Sequence, residues 1–279
     1  MTDRFGLGWR DDLAAGILSN LHQIDVLEVI ADDYFDAPSG KLRILRDLAA
    51  QHPLMLHAVS LGMASTIPVE EKRLAQMARL LDKIQPESWS EHLAFVRAGG
   101  IEIGHMASPP RNPTSVDATL SNIHRAACRT GMTPAMENVA SLIDPPGSIL
   151  SEAAWLSEVA THSPGGLLLD LHNVYTNSVN FGYDPYALLD TIPLHRMQSI
   201  HIAGGKWIGT RILDDHLHDV PDPVYAMLEY VAARAPQPLT VILERDGDYP
   251  PIQHLLTQLQ RARDAVTAGR AAIHEHAGV

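Results

Sequence analysis

The 279-residue chain is predicted to fold as an α/β protein, a (β/α)8 barrel of the TIM type forming a single domain over residues 1–279. Three observations predict it. Short apolar, β-branched runs alternate with longer segments of helical period, the pattern of βα units around a parallel sheet. Eight such runs fit into the chain at the spacing a closed barrel needs. No G-x-G-x-x-G turn follows the first runs, which removes the main signal of a doubly wound open sheet.

The predicted strands are, in order, "FGLGW" (5–9), "IDVLEVI" (24–30), "LMLHAVS" (54–60), "SWSEHLAF" (88–95), "PAMENV" (134–139), "GLLLDLHN" (166–173), "MQSIHIAG" (197–204) and "LTVILERD" (239–246). Segments of helical period lie between and after them at 69–84, 115–131, 223–235 and 251–269. Pro and Gly mark nearly every junction.

Bulk properties narrow the classes of function. With 46% hydrophobic and 19% charged residues, the composition is that of an ordinary globular protein. A chain of this length buries about three-quarters of its unfolded surface and needs no staples. The lone Cys128 excludes an internal disulfide, and its helical setting "IHRAACRTG" predicts a buried, inert thiol. A net charge of −12 without a basic stripe argues against nucleic acid as a partner. The N-terminal stretch has no apolar signal core, and no apolar run approaches the roughly 18 residues of a membrane span. A soluble cytoplasmic protein is expected.

The chemistry gathers at the strand ends. Strands two to eight end on Glu28, His57, His92, Glu137, Asp170, His201 and Glu244, and Asp214 and His216 follow in the loop after strand seven. In a barrel these ends share one rim, where active sites form. Any one of them has an ordinary explanation: a hydrogen-bonded core histidine, or a carboxylate capping the next helix. The set does not. Four strand-end carboxylates would repel each other and raise their pKa values, with Arg245 the main nearby base, so bound cations are the natural compensation.

No cysteine stands at these ends, which excludes thiolate zinc and iron–sulfur sites, and mixed imidazole and carboxylate suits iron, manganese or zinc. The candidates exceed the needs of one ion. Two or three ions sharing a carboxylate, with Glu137 as the bridge, is the economical arrangement. His22, His52, His124, His162, His195, His254, His274 and His276 are expected to be solvated, while His105 is undecided. His172 shares a face with Asp170 if the strand continues, and His218 is a ligand, a supporting partner or a proton shuttle. Asn138, Asn173 and Tyr175 are placed to support the cluster by hydrogen bonds.

The stretches "LHAVSLG", "SEHLAF", "MENVAS", "LLLDLHNVYTNSVNFGYDP", "IHIAGG", "DDHLHDVPDPVYAMLEY" and "LERDGDYP" together resemble the multinuclear non-haem iron-dependent oxidative enzymes, the MbnB/TglH group, over about residues 5–250. The resemblance implies a xylose-isomerase-like barrel with two or three irons as Fe(II)/Fe(III) and O2 as co-substrate. It implies oxidation of cysteine residues in a ribosomally made precursor peptide, with a partner protein as a further expectation for peptide delivery. Carried over by motif, the metal ligands are His57, His92, Glu137, Asp170, Asn173, His201, Asp214, His216 and Glu244, with Glu137, Asp170 and His201 at the catalytic centre.

Three positions depart from the pattern. Gly205 stands where relatives commonly carry a rim histidine, and is expected to leave a gap. His172–Asn173 replaces a pair of asparagines, and Asp32–Asp33 an Glu–Asn pair. The alternatives on the same scaffold are a divalent-metal sugar isomerase, an endonuclease-IV-like phosphoesterase, for which the acidic chain lacks a basic rim, and a metal-dependent binding subunit without turnover.

Overall fold

A computed structural model describes residues 2–98 and 100–277, with side chains described up to residue 272. Eight strands form a closed parallel barrel: β1 (Arg4–Trp9), β2 (Val26–Ile30), β3 (Leu54–Ala58), β4 (Ser88–His92), β5 (Ala135–Glu137), β6 (Leu167–Asp170), β7 (Met197–Ile202) and β8 (Thr240–Leu243). They pair in chain order, and β8 returns to β1 with Leu243 opposite Leu7. Around them run α1 (Ala14–Ser19), α2 (Ser39–Ala49), α3 (Glu71–Ile84), α4 (Pro113–Thr130), α5 (Glu152–His162), α6 (Leu171–Phe181), α7 (Pro185–Thr191), α8 (Asp222–Ala232) and α9 (Ile252–Ala277).

Strand alternation divides the core into two bodies. Leu27, Val29, Leu54, Leu56, Ile200, Ile202, Val241 and Leu243 belong to the main apolar cluster, packed with helix residues such as Leu74, Met77, Leu80 and Leu81 of α3. Val26, Met55 and Ile242 form a separate small cluster. Two residues further along the same strands stand Glu28, His57 and Glu244, and successive side chains of a strand point to opposite faces. The second face is therefore the barrel interior. An apolar layer plugs it below, and a polar layer lies above it at the C-terminal ends.

Three predicted elements differ from the observed ones. The run 166–173 breaks after Asp170, whose Oδ1 accepts the Asn173 N–H at 2.7 Å and caps α6, so His172 and Asn173 are helical. The run 88–95 stops at His92, and an antiparallel hairpin of Phe95–Ala98 with Ile101–Ala107 follows it. The segment holding Asp214 and His216 is not a loop. It is the Arg211–His218 strand of a second hairpin, paired with Gly204–Ile208.

Cys128 is exposed rather than buried, with Sγ 3.5 Å from His124 Nε2. It stands two residues past Ala126 on the buried stripe of α4, which turns it about 200° away from the core. No helix among the described residues is long and apolar enough to cross a membrane.

Candidate metal centre

Barrel register sets the site. On adjacent strands His92 is opposite Glu137 and Asp170 is opposite His201, while Ile242 beside His201 brings Glu244 just above it. Glu137 lies at the middle. Its Oε2 is 3.4 Å from His57 Nε2 and 3.3 Å from His92 Nε2, and its Oε1 is 3.5 Å from His201 Nδ1. His201 Nδ1 is also 3.0 Å from Glu244 Oε2, and its Nε2 is 2.8 Å from Glu28 Oε1. Two groups of mutually close ligand atoms result, His57–His92–Glu137 and Glu137–Asp170–His201–Glu244, with Glu137 in both.

A third group stands outside this centre. His216 Nε2 and His172 Nδ1 each lie 2.8 Å from Asp214 Oδ1. His216 connects it to the inner centre, with Nδ1 3.3 Å from Glu244 Oε2 and 3.3 Å from Asp246 Oδ2.

Electrostatics fit a cation-binding site. Burial pushes the Glu137 carboxyl up to about 7 and the Asp170 carboxyl up to about 8. Burial alone would lower His201, but Glu244, Glu28 and Glu137 outweigh it and raise it well above the ordinary value. Burial also opposes ionisation of Glu244, yet His201 and His216 hold it well below the carboxylate range. His57 and His92 are held down by burial, His92 to about 4, so both rings are neutral and their lone pairs free at neutral pH. Glu28 Oε2, Glu137 Oε2, Asp170 Oδ2, His92 Nδ1, both His201 nitrogens and His216 Nε2 are buried without a hydrogen-bond partner. So many orphaned polar atoms at one point would be costly in a purely structural role. The donor set fits a multinuclear imidazole–carboxylate centre.

Asp170 satisfies both of its readings. Oδ1 caps α6, and Oδ2 is the orphan that faces the cluster. Asn173 sits in the first turn of α6, donates from Nδ2 to the Asn138 carbonyl at 3.0 Å and keeps a buried, unpartnered Oδ1. Asn138 ties β5 to β6 by bonds in both directions with the Asp170 backbone, each 2.9 Å. Tyr175 is partly buried against the core.

Several expectations are corrected. Arg245 is not the base beside the carboxylates: it donates to the Gly247 and Asp248 carbonyls and lies 3.4 Å from Asp219. That place belongs to Arg10, which pairs with Asp246 and whose charge Glu244 and Glu28 also stabilise. Sequence reading missed it. The signal was parity, since Arg10, extended just past the end of β1, continues the inward alternation of Gly6 and Gly8. Gly205 leaves no gap, because a Cβ there would stand 2.7 Å from His172 Cε1 and closer still to the Leu213 carbonyl oxygen.

Asp32 accepts the Val59 N–H at 2.9 Å and the Ser60 hydroxyl, and so fastens the loop after β3. His218 is exposed and pairs with Asp215, away from the third group. His105 is exposed in the first hairpin. His22, His124, His162, His195 and His254 are exposed as expected, but His52 is half-buried. The side chains of His274 and His276 lie outside the described residues.

The chain is similar to known proteins over nearly its whole length. The family described as RiPP precursor modification enzyme MbnB/TglH/ChrH matches residues 4–267. A UPF0276 protein of Rhizorhabdus wittichii is 33% identical over 269 residues, covering 95% of this chain and 95% of that protein. Among solved structures, endonuclease IV from Thermus thermophilus aligns with a TM-score of 0.61 at 15% identity, over 94% of this chain and 99% of that one. D-psicose 3-epimerase from Clostridium cellulolyticum aligns with a TM-score of 0.58 at 13% identity, over 97% and 96%. At such identities the likeness shows the fold alone.

Proposed function

The chain belongs to the MbnB/TglH/ChrH family of RiPP precursor modification enzymes, and from that premise we propose that it is a multinuclear iron enzyme using O2 to oxidise cysteine in a ribosomally made precursor peptide. The observation that carries this reading is Glu137, whose two oxygens face different imidazole sets in one buried layer. His57, His92, Glu137, Asp170, His201 and Glu244 would hold the inner ions, and Asp214 and His216 an outer one, with the buried, unpartnered Oδ1 of Asn173 as a further ligand of the set. Bound there, iron would supply electrons for reduction of O2 and an open position for the peptide's thiolate.

The chain's own residues prepare that centre. Ser90 Oγ lies 2.8 Å from His57 Nδ1 and turns Nε2 toward Glu137. Glu28 Oε1 lies 2.8 Å from His201 Nε2, on the side of the ring away from Nδ1, which faces Glu137 and Glu244. Glu137 and Asp170, protonated near neutrality without a cation, give up their protons as ions bind. The Val26–Met55–Ile242 layer closes the barrel against water from below.

The test uses protein purified without oxygen. Iron at two or three per chain is expected, with an O2-dependent mass change in a cysteine-bearing peptide encoded beside the gene and none in its Cys→Ser version. Zinc or manganese supporting full turnover without O2, or equal modification of the Cys→Ser peptide, overturns the reading.

A further inference from the structure

We propose that His172 is a protein ligand of the outer metal site, forming a two-histidine, one-carboxylate set with Asp214 and His216, and that its imidazole occupies the space beside Gly205. The inference rests on the metal reading above but concerns a residue that the family motifs leave out.

Geometry carries it. His172 enters from the first turn of α6 and His216 from the second hairpin, two elements brought together only by the tertiary fold. Their rings meet edge-on, centroids 6.0 Å apart at 76°, and one nitrogen of each converges on Asp214 Oδ1. His172 is 1% exposed. Its far nitrogen, Nε2, is 3.5 Å from Thr176 Oγ1, one turn along α6. A cation held between Nδ1 and Asp214 would take the Nδ1 lone pair and put the ring proton on Nε2, facing that hydroxyl. Two lone-pair groups held 2.8 Å apart inside the protein call for a cation or a proton between them. Two imidazoles and a carboxylate with remaining positions open are the donor set suited to Fe(II).

The backbone is shaped for this trio. His216 has φ +52°, the left-handed region that non-glycine residues seldom occupy and that concentrates at functional sites. A Cβ on residue 205 would lie closest to the Leu213 carbonyl oxygen across the hairpin, and 2.7 Å from Cε1 and 2.9 Å from Nε2 of His172. Backbone on one side and the His172 ring on the other therefore leave room only for glycine at 205. The chain places its ring on α6 and keeps glycine on the strand.

The experiment is an anaerobic Co(II) titration of the full chain, followed by visible absorption and by metal analysis after gel filtration. Wild type is expected to hold one more ion than His172→Ala, and the remaining ions should keep their affinity. Gly205→Ala should weaken the same ion by about tenfold or more, the scale on which supporting contacts act at metal sites. His172→Asn tests the site with little change in packing and should also weaken it. In Glu137→Gln the outer ion should persist, so its dependence on His172 is read without the inner centre. Unchanged stoichiometry and affinity in both His172 variants overturn the assignment. A wild-type chain that binds no Co(II) at all overturns the metal reading as well. Loss of every ion in His172→Ala with an unchanged apo-protein melting curve also overturns a separate outer site.

Discussion

Glu137 and His92 are register partners on neighbouring strands, and Glu137 Oε2 lies 3.3 Å from His92 Nε2, while Oε1 turns toward His201. One carboxylate thus touches two sets of imidazoles, which makes it the most consequential single position in the layer.

Replacing Glu137 with Gln keeps shape but removes the shared negative charge. The variant should lose at least one inner ion and more than about 100-fold in activity, since loss of supporting contacts alone costs 10–100-fold at metal sites. Metal analysis and peptide mass spectrometry measure both. Full metal content with full turnover would remove Glu137 from the centre.

His216→Ala should release about one ion while the inner ions remain, because its Nε2 faces Asp214 in the outer trio and only Nδ1 approaches Glu244. A variant that retains every ion would show that the hairpin contributes no ligand.

Apo-protein stability should fall as pH rises from about 6.5 to 9, and bound metal should reverse that trend. Glu137 and Asp170 are raised by burial to about 7 and about 8, and His201 and His216 are raised by their carboxylates. Each group with a raised folded pKa contributes stability at low pH that is lost as pH climbs through that value. His57 and His92 are lowered and act in the opposite direction, but their effect fades within about one pH unit above 6.5, the unfolded histidine value, and does not extend to pH 9. Metal binds the deprotonated ligands, so loading strengthens with pH. Melting curves with and without Fe(II), recorded anaerobically across this range, check the sign; an apo melting temperature that climbs toward pH 9 refutes it.

Trp89→Ala separates the scaffold from the site. Trp89 is fully buried on the outward face of β4, and its Nε1 donates to the Met132 carbonyl at 2.8 Å. Truncation should cost about 3–5 kcal/mol, read by denaturant unfolding, with metal content per folded chain unchanged.

The sequence by itself determined the barrel and most of the rim. Alternation and β-branched runs mark strands locally, and in a closed parallel barrel every strand end must meet the same rim, so Glu28, His57, His92, Glu137, Asp170, His201 and Glu244 were legible without coordinates. Tertiary structure alone decided what the segments beyond the strands do. Whether Leu171–Phe181 continued β6 or turned into a helix depended on the Asp170 cap, and that turn sends His172 to Asp214 across 42 positions of sequence. Arg10 displaced Arg245 as the local cation because the ends of β1 and β8 meet only when the barrel closes. Gly205, which reads in sequence as a vacancy, is a contact in space. Local pattern encodes which face a residue takes; which residues share a volume is set by packing between elements distant in the chain, and only the folded molecule contains that information.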